Sequence, residues 1–394
     1  MQVGARSSEF GAAGKRSFCV HAVFPNYYDG TRVSYSLKAI LETMASPVMR
    51  THGYVMTKSR QVGSEISALL PLALYAYTSK LVRHPCASIV RRFGHRMKSG
   101  DVAYFWMTNP PPVTRALQKK GLLVIREMIN CTAQRQREEL RRAYGLLGMP
   151  DGSDISDEAI ERERDELLAA DAVFCPNDFV LESVLSYGVL PGRCIKTSYG
   201  WTMDRINGSS RHLPKAAGVD FLFVGSGDVR KGLPWLLEAW VKAGIEGRLL
   251  LAGTIDANVR ARYAAILGRN DVVELGYVSD IGSVYRSADV FCFPSWEEGG
   301  PMVTIEAMGA GLPCIVTPMG SSGIVSEETG GALIVRPGDV EALSSAMRQL
   351  ATDKEGRLAM GRRARDIAAG FTWQAVGRRR REAILLLREP IVSS

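Results

Sequence analysis

The chain of 394 residues is too long for one ordinary hydrophobic core and suits two domains. Hydrophobic residues make up 46% and charged residues 23%, which is typical of a globular protein and excludes a largely disordered or collagen-like chain. The formal net charge of +8 admits an anionic partner, whether a nucleotide, a phospholipid surface or a nucleic acid, without choosing among them.

The sequence predicts neither a signal peptide in its first fifteen residues nor a membrane-spanning helix. Residues 1–15 lack the apolar segment of a signal peptide and are interpreted as a flexible tail. No apolar run reaches the ~18 to 20 residues that a membrane-spanning helix needs. The nearest run, from Ile66 to Tyr77, is interrupted by Pro71 and is interpreted as a buried helix. We therefore expect a cytoplasmic protein.

The amino-terminal half alternates short apolar strands with helical stretches. The run SFCVHAVFP predicts a buried strand, and the turn NYYDG leads into a helix from about Ser34 to Met44. Further strands are predicted in DVAYFWM from Asp101, LLVIRE from Leu122 and DAVFCP from Asp171.

A second series of strands starts at Asp220 with DFLFVG, RLLLAG, DVVELG, DVFCFPS, PCIVT and ALIV. Short continuous apolar strands that alternate with helices predict a parallel sheet covered on both faces. Two such series predict an α/β protein with two Rossmann-like domains facing each other across a cleft, where ligands lie at the carboxyl ends of the strands. The predicted domains are residues 16–200 and 218–372, joined by an irregular linker over 201–217.

The densest motif is FCFPSWEEGGPMVTIEAMGAGLPCIV, from Phe291 to Val316. A strand is predicted to end at Pro294, and a helix to begin near Pro301. Proline and glycine at a helix start leave backbone N–H groups free, which makes an anion site suited to a diphosphate. Glu298 in the loop and Glu306 on the second helical turn can both point at one ligand, and sugar hydroxyls are their natural partners. The alternative is a solvated loop with a capping residue.

The second motif, FLFVGSGDVRKGLPWLLEAW, places Arg230 and Lys231 at a helix start over the same edge of the sheet. Lysine neutralises a diphosphate as a point charge, whereas arginine binds it bidentately. A dinucleotide fingerprint is excluded because Arg230 stands where its third glycine belongs, and a Walker loop is excluded because the stretch reads Arg-Lys-Gly. The alternative is an ordinary strand-to-helix connection with surface charges.

Taken together, these motifs resemble the carboxyl-terminal domain of the family 4 glycosyltransferases, which are retaining enzymes of the two-Rossmann GT-B fold. The matching pieces are FVGSGDVRKG, LLLAG, ELGYVSD, VYRSADVFCFPS, EEGGPMVTIEAMGAGLPCI and FTWQAV. The resemblance implies the GT-B fold, a nucleotide-sugar donor, and a last helix over 373–394 that crosses back towards the first domain.

The resemblance also implies roles for individual residues. Lys231 matches the lysine that binds the donor diphosphate, Glu298 matches the glutamate that contacts the donor sugar, and Glu306 matches the one that binds the nucleotide ribose. One departure is Ser226, where the family often has arginine. The other donor-side positions are Arg230 beside the phosphates, Val278 at the base, Gly299, Gly300 and Met302 around sugar and phosphates, and Gly30 in the amino-terminal loop.

On the acceptor side the sequence departs further from the family. Many relatives carry a histidine at the end of the strand that matches DVAYFWM, whereas this chain has Trp106 near that point. We expect Trp106, Asn109 and Glu127 to contact the acceptor. For Trp106, an aromatic platform for a sugar ring and a packed core residue are both open.

The same residues suggest a reaction without a metal or cofactor. No D-x-D sequence occurs, and the seven cysteines are scattered without a C-x-x-C pair. Lys231 and the helix N-terminus would then stabilise the leaving diphosphate. We expect a retaining hexosyltransferase that uses a UDP- or GDP-sugar and a glycan or lipid-linked acceptor. The alternatives are a nucleotide-sugar epimerase of the same fold and a non-catalytic protein that binds sugar nucleotides.

A basic segment from Ser79 to Gly100 interleaves six lysines and arginines with apolar residues. A helix of this pattern can lie on an anionic membrane surface, which would make the protein a peripheral one. The alternative is a solvated helix face. Nucleic-acid binding is not expected, because the basic segments lack interleaved stacking aromatics.

Overall fold

A computed structural model describes residues 17–59, 63–78, 82, 84–207, 210–325 and 328–389 of the chain. The predicted tail over 1–15 lies outside these residues, as do Lys80 and Arg83 of the basic segment.

The amino-terminal domain is built on a seven-stranded parallel sheet with helices on its faces. All five residues of its central strand β4 are buried, as its unbroken apolar run predicts. Its strands are Phe18–Tyr28 (β1), Met49–Lys58 (β2), Ile66–Ala68 (β3), Val102–Trp106 (β4), Leu123–Glu127 (β5), Ala172–Cys175 (β6) and Cys194–Lys196 (β7). Its helices are Arg32–Met44 (α1), Leu72–Thr78 (α2), Pro85–Phe93 (α3), Pro111–Lys119 (α4), Ala133–Leu146 (α5), Asp157–Ala169 (α6) and Asp178–Ser186 (α7).

The carboxyl-terminal domain is built on a six-stranded parallel sheet. A short linker helix, Met203–Ile206 (α8), precedes it. Its strands are Val219–Val224 (β8), Gly247–Ala252 (β9), Val272–Gly276 (β10), Val290–Phe293 (β11), Cys314–Val316 (β12) and Ala332–Ile334 (β13). Its helices are Leu233–Ala243 (α9), Ala257–Arg262 (α10), Ala264–Leu267 (α11), Ile281–Tyr285 (α12), Met302–Gly309 (α13), Val340–Thr352 (α14) and Lys354–Ala369 (α15), followed by Trp373–Leu387 (α16).

The two sheets share one strand order. It is β3-β2-β1-β4-β5-β6-β7 in the first domain and β10-β9-β8-β11-β12-β13 in the second. The chain order reverses between β1 and β4 and again between β8 and β11, and ligands of such sheets bind at these switch points. The predicted fold class, with two Rossmann-like domains, is confirmed.

One prediction about the first domain is wrong. The run Ile66 to Tyr77 was expected to form a buried helix, but Ile66–Ala68 is the edge strand β3, paired with β2. The helix begins only at Leu72, after Pro71, and both Leu72 and Leu74 are exposed. The isoleucine at the start of the run favours a strand, and proline lacks the N–H group that a helix interior needs.

The last helix returns to the first domain. Helix α16 packs against α1, and the guanidinium of Arg380 is buried against side chains of β4 and β5. It donates to both carboxylate oxygens of Glu127 at 2.7 and 2.9 Å, and to the hydroxyl of Tyr104 at 2.8 Å. Both charged side chains are fully buried, so this ion pair fixes helix α16 to strand β5.

Within the described ranges, none of the helices combines the length and the apolar character needed to cross a bilayer.

The buried pair predicts a specific loss of stability. Glu127→Gln leaves the Arg380 charge buried without its counter-ion, so the free energy of unfolding should fall by about 3 kcal/mol, measured by urea denaturation. Glu42→Gln is the matched control, because Glu42 pairs with Lys38 on the exposed face of α1 and should change stability little. Equal stabilities of the two variants would contradict the structural role of Glu127.

Candidate functional site

A cavity of about 740 Å³ lies between the two domains. It is bordered by residues at the carboxyl ends of the central strands of both sheets, including Trp106 of β4, Gly225 after β8 and Phe293 of β11. The amino end of α13 closes one wall with Pro301 and Met302. The cavity therefore lies at the switch points of both sheets, where the topology favours ligand binding.

The loop between β11 and α13 carries the first predicted carboxylate. The Ser295 hydroxyl lies within hydrogen-bonding distance of the Glu297 carbonyl, at 3.1 Å, and of Glu298 Oε1, at 3.3 Å. The Thr317 hydroxyl donates to the Ser295 carbonyl at 2.6 Å, and the backbone N–H of Trp296 donates to the Arg230 carbonyl at 2.8 Å. The loop is thus held on both sides by its own domain.

Both predicted cations converge on Glu298. Lys231 Nζ donates to Glu298 Oε1, and Arg230 Nη1 lies 3.2 Å from the same oxygen. Burial lowers the pKa of Arg230, but the carboxylates of Glu298 and Glu297 more than offset this and raise it. All of Arg230, Lys231 and Glu298 border the cavity, so the site holds a compact, charge-paired cluster.

Glu306 lies deeper in the same wall and is almost completely buried. Arg205 Nε donates to its Oε1 at 2.5 Å, and the Tyr285 hydroxyl donates to its Oε2 at 3.0 Å. Burial raises the pKa of Glu306, and the positive charge of Arg205 partly offsets this. Each carboxylate oxygen therefore has a donor already in place.

The two glycines after Glu298 let the loop touch the amino-terminal domain. A Cβ on Gly299 would lie 1.8 Å from the Ile129 carbonyl oxygen, and one on Gly300 would lie 2.5 Å from the Tyr199 ring. Asn177 Nδ2 also donates to the Gly299 carbonyl at 2.7 Å. Only residues without a side chain allow this contact between the domains.

Glu297 was not predicted as a site residue, although it adjoins Glu298. It is fully buried between the domains, where it accepts from the Cys131 N–H at 3.2 Å and from Gln136 Nε2 at 3.1 Å. Arg230 Nη1 donates to the same oxygen as Gln136, Oε2, at 3.3 Å, whereas Cys131 binds Oε1. Its position beside a predicted site residue was the signal available in the sequence. Arg205 was also missed, because no motif in the linker singles it out.

The remaining predicted donor-side residues fall into two groups. Val278, Gly300 and Met302 border the cavity, whereas Gly299 and Gly30 do not. Gly30 adopts a left-handed conformation with φ of 81° and donates its N–H to the Ser34 hydroxyl at 3.0 Å. Its conformation explains the glycine, but its place in the fold gives it no cavity surface.

The acceptor-side predictions need correction. Asn109 is fully buried and donates to the Glu166 carbonyl at 2.8 Å, and Glu127 is buried in its pair with Arg380. Neither borders the cavity, so both have structural roles. Trp106 is buried as well, yet it does border the cavity, and its indole nitrogen has no hydrogen-bond partner among the described residues.

Comparison with known proteins places this site in context. Residues 218–353 match the family model described as glycosyl transferases group 1. Over 207 residues the chain is 30% identical to a D-inositol 3-phosphate glycosyltransferase of Corynebacterium kroppenstedtii, covering 48% of this chain and 46% of that protein. Over 143 residues it is 30% identical to the capsular polysaccharide biosynthesis glycosyltransferase CapM of Staphylococcus aureus, covering 34% and 37%. The chain thus spans less than half the length of these relatives.

Solved structures match almost the whole chain. Sucrose-phosphate synthase from Thermosynechococcus elongatus superposes with a TM-score of 0.70 at 18% identity, covering 94% of this chain and 99% of that one. Anabaena HepE in complex with UDP and glucose superposes with a TM-score of 0.70 at 12% identity, covering 94% and 100%. At these identities the matches show the fold, which is the GT-B arrangement of two Rossmann-like domains.

The glycine contact predicts how the domains depend on the loop. Gly299→Ala should force the loop away from Ile129, because its Cβ has no room, and should increase the radius of gyration measured by small-angle X-ray scattering. Gly145→Ala is the control, since Gly145 lies in α5 with nothing within 4 Å of its added Cβ. A Gly299→Ala protein as compact and as stable as the control would show that the contact does not hold the domains together.

Proposed function

We propose that this chain is a glycosyltransferase that moves a hexose from a nucleotide-diphosphate sugar to a glycan or lipid-linked acceptor, with retention of anomeric configuration and without a metal. The observation that carries the proposal is the convergence of Lys231, Arg230, Glu298 and Glu306 on one interdomain cavity. The match of residues 218–353 to the glycosyltransferase family model supports it.

The diphosphate of the donor would bind where the two cations meet the start of α13. Lys231 and Arg230 now share Glu298 as their counter-ion. A diphosphate that enters this corner offers both cations new acceptors and also receives the partial positive charge of the helix N-terminus. These groups are in position before the reaction and stabilise the charge that develops on the leaving nucleotide.

The binding of the diphosphate by Lys231 and Arg230 would also allow Glu298 to bind the donor sugar. Once the cations turn to the diphosphate, its carboxylate is free to accept hydrogen bonds from hydroxyls of the donor sugar. The Ser295 hydroxyl, 3.3 Å from Oε1, would keep it in place. Glu306, deeper in the wall, would accept from the ribose hydroxyls, and Val278 would lie on the side of the base.

The identity of the base is proposed as uracil or guanine. The related structure of HepE contains UDP and glucose, which favours a uridine nucleotide as the first donor to test. On the acceptor side, Trp106 offers an unpartnered indole N–H at the cavity border. Retention would follow if the acceptor attacks on the face from which the diphosphate leaves, with the departing phosphate accepting its proton.

A direct assay tests the proposed transfer. Wild-type protein incubated with UDP- and GDP-sugars and candidate glycan or lipid-linked acceptors should release the nucleotide diphosphate in step with glycosylated product. Glu298→Gln should lower turnover by about ten- to a hundred-fold, because it removes a charged hydrogen-bond partner of the sugar. Arg260→Gln, in an exposed ion pair with Glu274, is the control. Nucleotide binding without any transfer would favour the non-catalytic alternative.

The same assay tests the metal-free part of the proposal. Turnover should persist in excess EDTA, because fixed cations take the place of a divalent ion at the diphosphate. Loss of activity in EDTA, followed by recovery on addition of Mn²⁺ or Mg²⁺, would contradict it.

Association with an anionic membrane is a separate part of the proposal, and the structure changes its basis. Cys86, Ile89 and Phe93 of α3 are packed in the core of the first domain, so these apolar residues do not face a membrane. Among the described residues of the basic segment, Arg91, Arg92, Arg96 and Lys98 are exposed. Binding would therefore be electrostatic, with each basic residue contributing about 1 kcal/mol near the membrane surface.

Liposome flotation tests this association. Binding should require anionic lipid, fall as salt rises, and weaken when Arg91, Arg92 and Arg96 are changed to Gln. Substitution of the exposed Lys354, Arg362 and Arg363 of α15 by Gln is the control for net charge. Equal loss in both variants, or no binding at low salt, would reduce the segment to a solvated face.

A further inference from the structure

The linker residue Arg205 lies between the deepest donor-side carboxylate and the amino-terminal domain. From the short helix α8 it donates to Glu306 Oε1 at 2.5 Å. Its guanidinium carbon also lies 5.0 Å from the centre of the Tyr35 ring, on α1 of the first domain. Arg205 borders the cavity, so one side chain joins the linker, the carboxyl-terminal domain and the amino-terminal domain at the binding site.

Arg205 covers Glu306 from the cavity side. The side chain of Glu306 is 1% exposed, whereas that of Arg205 is 41% exposed. The other carboxylate oxygen accepts from the Tyr285 hydroxyl at 3.0 Å. Both Arg205 and Glu306 border the cavity, and the two donors fix the orientation of the carboxylate towards it.

Tyr35 is itself held in place. Its hydroxyl accepts a hydrogen bond from Trp373 Nε1 of α16 at 3.0 Å, and the two rings pack edge to face at 5.8 Å. The surface under Arg205 is therefore fixed by the helix that returns to the first domain. The guanidinium of Arg205 is attracted to the face of the Tyr35 ring by a cation–π interaction. This contact helps to orient Arg205 towards Glu306.

We propose that Arg205 is a positioning residue of the donor site, which holds Glu306 as an oriented carboxylate for the ribose hydroxyls of a nucleoside diphosphate and ties it to Tyr35 across the cleft. This inference rests on the proposed function. It adds a residue from the linker to a site otherwise drawn from the second domain. It also makes nucleotide binding depend on the arrangement of the two domains, because Tyr35 and Glu306 belong to different ones.

The charge of Arg205 has a consequence that a purely structural residue lacks. The titratable groups that face Glu306 are Arg205 from α8, Tyr285 from α12 and Tyr35 from α1. Burial raises the pKa of Glu306, and Arg205 opposes this. Without Arg205 the pKa of Glu306 rises further, so Glu306 stays protonated up to a higher pH. The protonated carboxyl group accepts hydrogen bonds from ribose hydroxyls poorly. The loss of affinity should then grow as pH falls.

Isothermal titration with UDP and GDP tests this inference. Arg205→Gln should weaken binding of whichever nucleotide the wild type binds by about ten-fold, and Arg205→Lys should recover part of the loss. The ratio of variant to wild-type affinity, which cancels ionisation of the nucleotide, should improve from about pH 6 to about pH 8. In a Glu306→Gln background, Arg205→Gln should cause little further loss and no added pH dependence.

The outcomes separate this inference from the proposed function. If the wild type binds neither nucleotide, the proposed function fails and the role of Arg205 fails with it. If the wild type binds but Arg205→Gln binds equally well, only the inference about Arg205 is overturned. It is also overturned if the loss is the same in the Glu306→Gln background, since Arg205 would then act independently of Glu306. Arg260→Gln, which removes an exposed arginine outside the cavity lining, is the matched control.

Discussion

The arrangement of the site depends on the hydrogen bonds and the ion pair that the buried carboxylate of Glu297 makes. It lies in the interface between the domains, where Oε1 accepts from Cys131 of the first domain and Oε2 accepts from both Gln136 of the first domain and Arg230 of the second. Burial and the neighbouring Glu298 raise the pKa of Glu297, whereas Arg230 opposes this. A charge this deeply buried is tolerated only when its partners stay in place. Glu297 therefore fixes Arg230 and the two domains relative to one another.

The rest of the site follows from that geometry. Gly299 packs against the Ile129 carbonyl, and Asn177 of the first domain donates a hydrogen bond to the Gly299 carbonyl. Lys231 and Arg230 are both paired with Glu298. A diphosphate would exchange with the carboxylate as their partner, so the site needs little reorganisation when charge develops on the leaving group.

Most of the fold and part of the site could be predicted from the sequence. Continuous apolar runs identified the buried strands such as β4 and β8, because parallel strands are covered on both faces. Strand β2 was missed, since its residues MRTHGYVMTK mix polar and apolar types, and β3 was assigned to a helix. The convergence of Lys231, Glu298 and Glu306 was predictable, because their motifs follow strands of one parallel sheet.

Residues whose partners are distant in sequence could not be assigned in the same way. Glu127 ends a strand at the expected edge, but its partner Arg380 lies 253 positions away, and no local pattern shows that they pair. Asn109 was misassigned for a similar reason, since Glu166 on α6 binds it inside the domain. Arg205 and Glu297 were missed because their roles arise from contacts between domains, which strand and helix patterns within one domain do not encode.

The measurement that tests the central claim most directly is a crystal structure of the wild-type protein with the nucleoside diphosphate that it binds. The account predicts that Lys231 Nζ leaves Glu298 for an oxygen of the diphosphate at the start of α13, while Glu297 keeps its contacts with Cys131 and Gln136. A nucleotide bound elsewhere, with Lys231 still paired to Glu298, would contradict it.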